Sequence, residues 1–291
     1  MNYHPAAAAV LLFAALMGIS PAGGAVSSTP PVHPATASTA ALSQPRALKA
    51  SYSAPTPAEI ADLPTASWDA VIPGLLPSTA GPADFSKTSF TLAADSALYG
   101  ADLRTAVAVL PKISSIADQP TVVVASEQDG PWTRILTPTR RSLPSQDSNA
   151  PAQTAAWIRT DRLTANKPLT TRVVISLSHL TLDLVDVASG AVTANFPVAV
   201  GAASTASPVG TGFVEARYAD LVNQPEVGVI SLTSLHSTAA DAPFGKGGLV
   251  AIHRYPRSVG QVSHGCFRVS DATAQAFIAK VPVGSIVTVT P

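Results

Sequence analysis

Ser263-His264-Gly265-Cys266-Phe267-Arg268-Val269 is the stretch on which the reading of this chain turns. It holds the single cysteine among 291 residues, and a further histidine, His253, lies thirteen positions before that cysteine. If the stretch is extended, the period of two places His264, Cys266 and Arg268 on one face. Ser263, Gly265, Phe267 and Val269 then point the other way, and Phe267 and Val269 pack into a core. An imidazole and a guanidinium beside a thiol stabilise the thiolate, the attacking form, below the ~8.5 of a free cysteine. The expected chemistry is nucleophilic: Cys266 attacks an acyl carbon and His264 handles the proton. Gly265 has no Cβ to keep a substrate carbonyl from the backbone, so the N–H groups of Gly265 and Cys266 are candidates for an oxyanion hole. The bland alternatives are that Cys266 is an inert buried hydrophobe and that His253 is a satisfied histidine ending the apolar run Leu249–Ile252.

Working outward, Val173, Ile175 and Leu177 alternate, as do Leu180, Leu182 and Leu184, and Ala188-Ser189-Gly190 turns the chain before Val192–Val200. That is a hairpin pattern with one buried face. Further strands are expected at Gly212–Tyr218, Leu249–His253 and Ser285–Thr290. One helix is expected after Ser270 or Asp271, with Ala274, Phe277, Ile278 and Val281 on one face and Pro282 as its stop. Ala219–Gly248 has weak periodicity and six Gly or Pro residues, and reads as a long flap. Together, residues 167–291 read as a β-rich catalytic domain with one or more short helices.

Before it, residues 86–166 read as a small all-β module. Short runs at Ser89–Leu92, Thr105–Leu110, Thr121–Ala125, Trp132–Leu136 and Ala155–Ile158 fit a sandwich or a small barrel, with an SH3-like barrel preferred. No acids, bases and nucleophiles group there, so its expected role is positioning. Residues 26–85 are rich in Pro, Ala, Ser and Thr, and 12 of the 26 prolines lie in the first 85 positions. Pro fixes φ and cannot donate to a ladder, which predicts an extended tether. Its second half, with Trp68, Val71, Ile72, Leu75 and Leu76, is suited to docking on a neighbouring domain. Residues 1–25 read as a signal peptide: the apolar run Ala6–Ile19 is too short to span a bilayer, and Gly23-Gly24-Ala25 offers a cleavage site. The expected product is secreted or held at the cell envelope, with no stable membrane insertion after cleavage; an uncleaved anchor is the alternative.

Composition excludes other classes. Eighteen Lys and Arg balance eighteen Asp and Glu, and charged residues make up only 12%. Nucleic-acid binding relies on clustered positive charge, so it is not expected. One cysteine rules out an intrachain disulfide and any thiolate-clustered metal site.

The C-terminal part resembles the L,D-transpeptidase catalytic domains of the YkuD type. The resemblance covers about residues 170–291 and rests on His253 followed by Ser263 to Val269, with Ser207-Pro208-Val209-Gly210 similar to the family's Thr-Pro-x-Gly turn. It implies two acyl transfers on peptidoglycan stem peptides, a donor and an acceptor. Cys266 attacks the carbonyl of the third residue of a tetrapeptide stem, D-alanine leaves, and an amine of a second stem resolves the thioester. By the same resemblance His264 is the base, Ser263 orients it through its backbone carbonyl, His253 lines the donor site, and Arg268 supports the loop or a substrate carboxylate. No cofactor is implied, and carbapenems are expected to acylate the thiol. Two departures stand out. Arg254 follows His253 where Gly is common, and with Arg257 and Lys246 it is expected either to make the site mouth positive or to be a solvated loop cation. The interval from His253 to Ser263 is also short. The competing readings are an L,D-carboxypeptidase or endopeptidase using the same thioester, and a non-catalytic wall-binding protein.

Overall fold

The computed structural model describes residues 52–116, 118–219, 222, 224–241 and 248–291. The stretch read as a signal peptide, the first half of the stretch read as a tether, and Lys246 lie outside the described residues. No helix among the described residues is long and apolar enough to cross a membrane.

The N-terminal module is one antiparallel sheet built from β1 (Leu76–Pro77), β2 (Thr88–Leu92), β3 (Ser96–Tyr99), β4 (Ala106–Leu110), β5 (Val122–Asp129), β6 (Trp132–Thr137), β7 (Thr154–Arg159) and β8 (Leu163–Pro168). The strand order is β4-β3-β7-β6-β5-β2-β8, and β1 pairs with β7. Gly130, at φ +56°, makes the tight link between β5 and β6 that the Asp129-Gly130-Pro131 sequence announces. Leu98, Leu110, Val123, Ile135 and Ile158 form its core. Because β8 pairs with β2, the module runs to Pro168, two residues past the expected boundary.

The second half of the stretch read as a tether is placed against this sheet. Ala66, Ile72 and Leu75 are buried in the same core. The Ala66 N–H donates to the Val109 carbonyl and the Ile72 N–H to the Arg140 carbonyl, both at 2.8 Å. The short helix α1 (Pro57–Ala61) opens on a reciprocal capping box between Thr56 and Glu59. The prolines set the turns of this segment, and its few apolar residues supply the burial that docks it.

The C-terminal domain has two sheets. One runs β11 (Val192–Pro197), β10 (Thr181–Asp186), β9 (Thr171–Ser176), β19 (Ile286–Thr290) and β13 (Gly210–Phe213). The other runs β14 (Ala216–Ala219), β15 (Val229–His236), β16 (Leu249–Arg254), β18 (Phe267–Val269), β12 (Ala199–Gly201) and β17 (Gly260–Ser263). The helix α2 (Asp271–Lys280) is capped by Ser270, whose hydroxyl accepts the Thr273 N–H. Val173, Ile175, Leu182 and Leu184 from the first sheet meet Val250, Ile252, Phe267 and Val269 from the second, with Phe277 of α2 packed among them.

The flap reading of 219–248 needs correction, because the eight-residue strand β15 occupies its centre. Its sequence, Val-Ile-Ser-Leu-Thr-Ser-Leu-His, shows no polar face, since both faces are buried. The polar side chains instead find internal partners: the Thr233 hydroxyl donates to the Val250 carbonyl at 2.7 Å and the Ser234 hydroxyl to Gln153 Oε1 at 2.8 Å. His236 ends this strand fully buried, not solvated as a loop histidine would be. Burial, with the nearby Arg140 charge, holds its imidazole well below the usual range.

Phe267 sits between the sheets with no exposed surface. Phe267→Ala is expected to cost about 3–5 kcal/mol, from lost apolar transfer and the cavity left behind. Urea unfolding checks this: a midpoint unchanged from wild type would mean that the site strand is not anchored by this ring.

Candidate active site

The site is built where three strands meet. β16 and β18 run parallel, with Ile252 beside Phe267 and His253 beside Arg268. β12 bridges β18 and β17, so the segment from Ser263 to Phe267 is a connection between strands and not one continuous strand. Its bend centres on Gly265, at φ +114°, a backbone state that residues with a Cβ seldom adopt. The expected alternation of faces therefore fails at this point. His264 is exposed, whereas Cys266 is 9% exposed and lies in an apolar cluster with Ala216, Val227, Ile230, Leu232, Leu249 and Ala251.

Hydroxyl groups fix the bend. The Ser263 hydroxyl donates to the Cys266 carbonyl at 2.6 Å and accepts the Gly265 N–H at 3.1 Å. Ser207 donates to the Gly265 carbonyl at 2.7 Å and accepts the Gly201 N–H at 2.9 Å. The Ser263 carbonyl accepts from the Ala202 N–H and from the Thr205 hydroxyl. These bonds alter two expectations. Both lone pairs of the Ser263 carbonyl are engaged, so it does not orient His264. The Gly265 N–H is bonded to Ser263, so of the two expected oxyanion donors it is not the open one.

The imidazole that shares a strand face with a member of the thiol's cluster is that of His253. Residues two apart on a strand share a face, so His253 points to the same side of β16 as Ala251, which packs in the Cys266 cluster. His253 Nδ1 lies 2.8 Å from the Arg254 carbonyl. A carbonyl only accepts, so Nδ1 carries the proton and Nε2 keeps its lone pair. Burial holds this imidazole below its usual range; the bond to the Arg254 carbonyl opposes that shift, and the Arg268 charge reinforces it. A neutral ring with a fixed tautomer is the state a general base requires.

Cys266 itself departs from the expected thiolate. Burial pushes its thiol up, and the Ala251 backbone group and the Arg268 charge offset this only in part. Arg268 stacks on Tyr255, with its guanidinium carbon 4.2 Å from the ring centroid, and Nη1 donates to the Val262 carbonyl. Tyr255 in turn meets His253 edge to face at 6.2 Å. No motif marked Tyr255 in the sequence; its position two residues after His253 on the same chain face is the only signal it offered.

Arg254 does not line the mouth as a free cation. Its Nη1 pairs with Asp271 Oδ1 at 3.0 Å and its Nη2 donates to the Pro225 carbonyl at 2.8 Å, so it ties β16 to the start of α2. The charge that departed from the family pattern is thus neutralised within the fold. Arg257 is exposed. Among the described residues there is no group of three or more His, Cys, Asp or Glu that could hold a metal.

An L,D-transpeptidase from Mycobacterium tuberculosis H37Rv aligns at 15% identity and a TM-score of 0.37, over 59% of this chain and 90% of that one. One from Stackebrandtia nassauensis aligns at 17% identity and a TM-score of 0.32, over 42% of this chain and 56% of that one, so this chain spans little more than half of its length. One from Xylanimonas cellulosilytica aligns at 21% identity and a TM-score of 0.30, over 43% of this chain and 62% of that one. No curated protein matches. The model of the L,D-transpeptidase catalytic domain, YkuD, matches residues 170–289 of this chain, the part that carries the site.

Proposed function

We propose that this protein is an envelope peptidoglycan L,D-transpeptidase that works through a Cys266 thioester. The observation that carries this reading is a buried thiol clustered with Ala251, two residues before a histidine whose Nδ1 is bonded to the Arg254 carbonyl so that Nε2 is an acceptor. His253 Nε2 takes the thiol proton as sulfur attacks the carbonyl of the third stem residue. The same proton then goes to the amine of D-alanine as the carbon–nitrogen bond breaks, leaving the thioester. An amine of a second stem attacks next, passes its proton to His253, and releases the thiol. The base in this reading is His253, and the exposed His264 is left to contact substrate. A leader that exports the chain and a segment that docks on the module suit an enzyme acting outside the membrane.

Intact-protein mass after incubation with a carbapenem tests the nucleophile. Wild type is expected to gain one adduct and Cys266→Ala none; an unmodified wild type would sink the reading. Muropeptide analysis then tests the transfer. Crosslinked dimers are expected, whereas shortened stems alone would make the protein a carboxypeptidase.

A further inference from the structure

The reading above requires a peptide carbonyl to reach a thiol that is buried in this structure, and the apolar cluster that holds this thiol is also packed on by the other module. Trp68, in the docked segment, and Ile116, in the β4–β5 loop, pack against the apolar cluster that holds Cys266. The segment is held from below, where the Thr139 hydroxyl donates to the Ser67 carbonyl at 2.7 Å. The same module holds the far end of the β15–β16 hairpin. The Ser145 N–H and hydroxyl donate to the two carboxylate oxygens of Asp241, at 2.9 and 2.5 Å, and Arg140 Nη2 donates to the Ala240 carbonyl at 3.2 Å.

Between these contacts lies a cavity of about 30 Å³, room for about one water. Its walls include Ser67, Trp68, Ser114, Ile116 and Phe213, and it also receives Glu215. Ala216, the next residue, lies in the Cys266 cluster, so adjacent side chains face the two sides of one contact. Glu215 is buried and neither carboxyl oxygen has a hydrogen-bond partner. Among the described residues, no other wall residue of the cavity is ionisable. Burial pushes the Glu215 carboxyl up to about 8. It is therefore neutral at pH 7, and its folded value lies above the unfolded one. The stability it lends the seat is full below about 4.5 and is lost progressively as pH rises to about 8.

We propose that the N-terminal module is an intramolecular cover on the Cys266 site, seated by Trp68 and Ile116, clasped to the hairpin through Ser145 and Asp241, with the buried Glu215 carboxyl at the seat. Its relevance to catalysis rests on the transpeptidase reading, but its test does not. Cys266 is the only cysteine, so a chromogenic disulfide reagent reports on it alone. The double variant Trp68→Ala, Ile116→Ala is expected to raise the modification rate about tenfold or more, by lowering the cost of local opening. Ser145→Ala, at an exposed bond that folding does not depend on, is expected to raise it about threefold. Rates within twofold of wild type in Ser145→Ala and in a folded double variant would overturn the cover.

The pH arm compares wild type with Glu215→Gln. Both carry the thiol's own titration, so the ratio of their rates isolates the carboxyl. That ratio is expected to climb as pH rises from about 4.5 to about 8 and to level off above it, and a flat ratio across that window would remove Glu215 from the device. The two proposals fail separately. A reagent-accessible thiol that no carbapenem acylates speaks against the transpeptidase, and acylation that ignores the module variants speaks against the cover.

Discussion

His253→Ala will slow carbapenem acylation of Cys266 by about 10²–10⁴-fold, the usual range for loss of a general base, and His264→Ala will slow it by less than about tenfold. The asymmetry follows from where each ring sits. Burial disfavours the thiolate of Cys266, so the sulfur does not arrive at the reaction already ionised and needs a base at the moment of attack. His253 is neutral because burial holds its imidazole down, and its Nδ1–H is committed to the Arg254 carbonyl. Nε2 is then an acceptor on the thiol's side of β16. His264 is exposed beyond the bend at Gly265, where bulk water competes for its protons. The measurement is intact-protein mass against time at several pH values. In wild type the rate should fall on the acid side only as His253 becomes protonated, below the ordinary histidine value of 6.5. An His264→Ala variant slower than His253→Ala would reverse the assignment.

The heptapeptide marked the nucleophile in the sequence, but its geometry was not legible there. Strand alternation gave the right inward residues, Phe267 and Val269, since β18 begins at Phe267. It failed for His264 because a single glycine at positive φ inserts a bend, and sequence does not say which of a glycine's backbone states is used. The hairpin β9–β10 and helix α2 were legible because each buries one face, and a single period describes them. β15 was hidden for the opposite reason: Ser231, Thr233 and Ser234 are buried and satisfied by partners as distant as Gln153, a pairing that only tertiary structure supplies. Arg254 looked like a functional charge because its partner Asp271 lies on another element, seventeen residues away. The docked segment 57–77 was masked by its prolines, although Ile72 and Leu75 carried the signal for burial.

Gly201→Ala will cost about 3 kcal/mol or more of stability and abolish most of the acylation that remains at a temperature where the variant is folded. A Cβ on Gly201 would collide with the Thr205 carbonyl oxygen, and would lie 2.5 Å from the Ser207 nitrogen and 2.8 Å from the Ala206 carbonyl carbon. All three are backbone atoms, so no side-chain rotation relieves the overlap. Overpacking ordinarily costs about 1–3 kcal/mol, and a clash with backbone belongs at or above the top of that range. For a folded unit of this size, that corresponds to a fall in Tm of roughly 6–12 °C. The effect on chemistry follows from the bonds that share this corner. The Gly201 N–H binds the Ser207 hydroxyl, which binds the Gly265 carbonyl, and the Thr205 hydroxyl binds the Ser263 carbonyl. Pushing 205–207 away from β12 therefore moves the bend that carries Cys266, and a displacement of about 1 Å is enough to cost ~10²-fold in rate. Ser207→Ala separates the two effects: it leaves the backbone unclashed but strands the buried Gly201 N–H and Gly265 carbonyl, at about 1–3 kcal/mol each. Thermal melts and acylation rates on both variants check the chain of dependence. A Gly201→Ala protein with wild-type Tm and wild-type acylation would show that the corner is slack and that the bend at Gly265 is held by Ser263 alone.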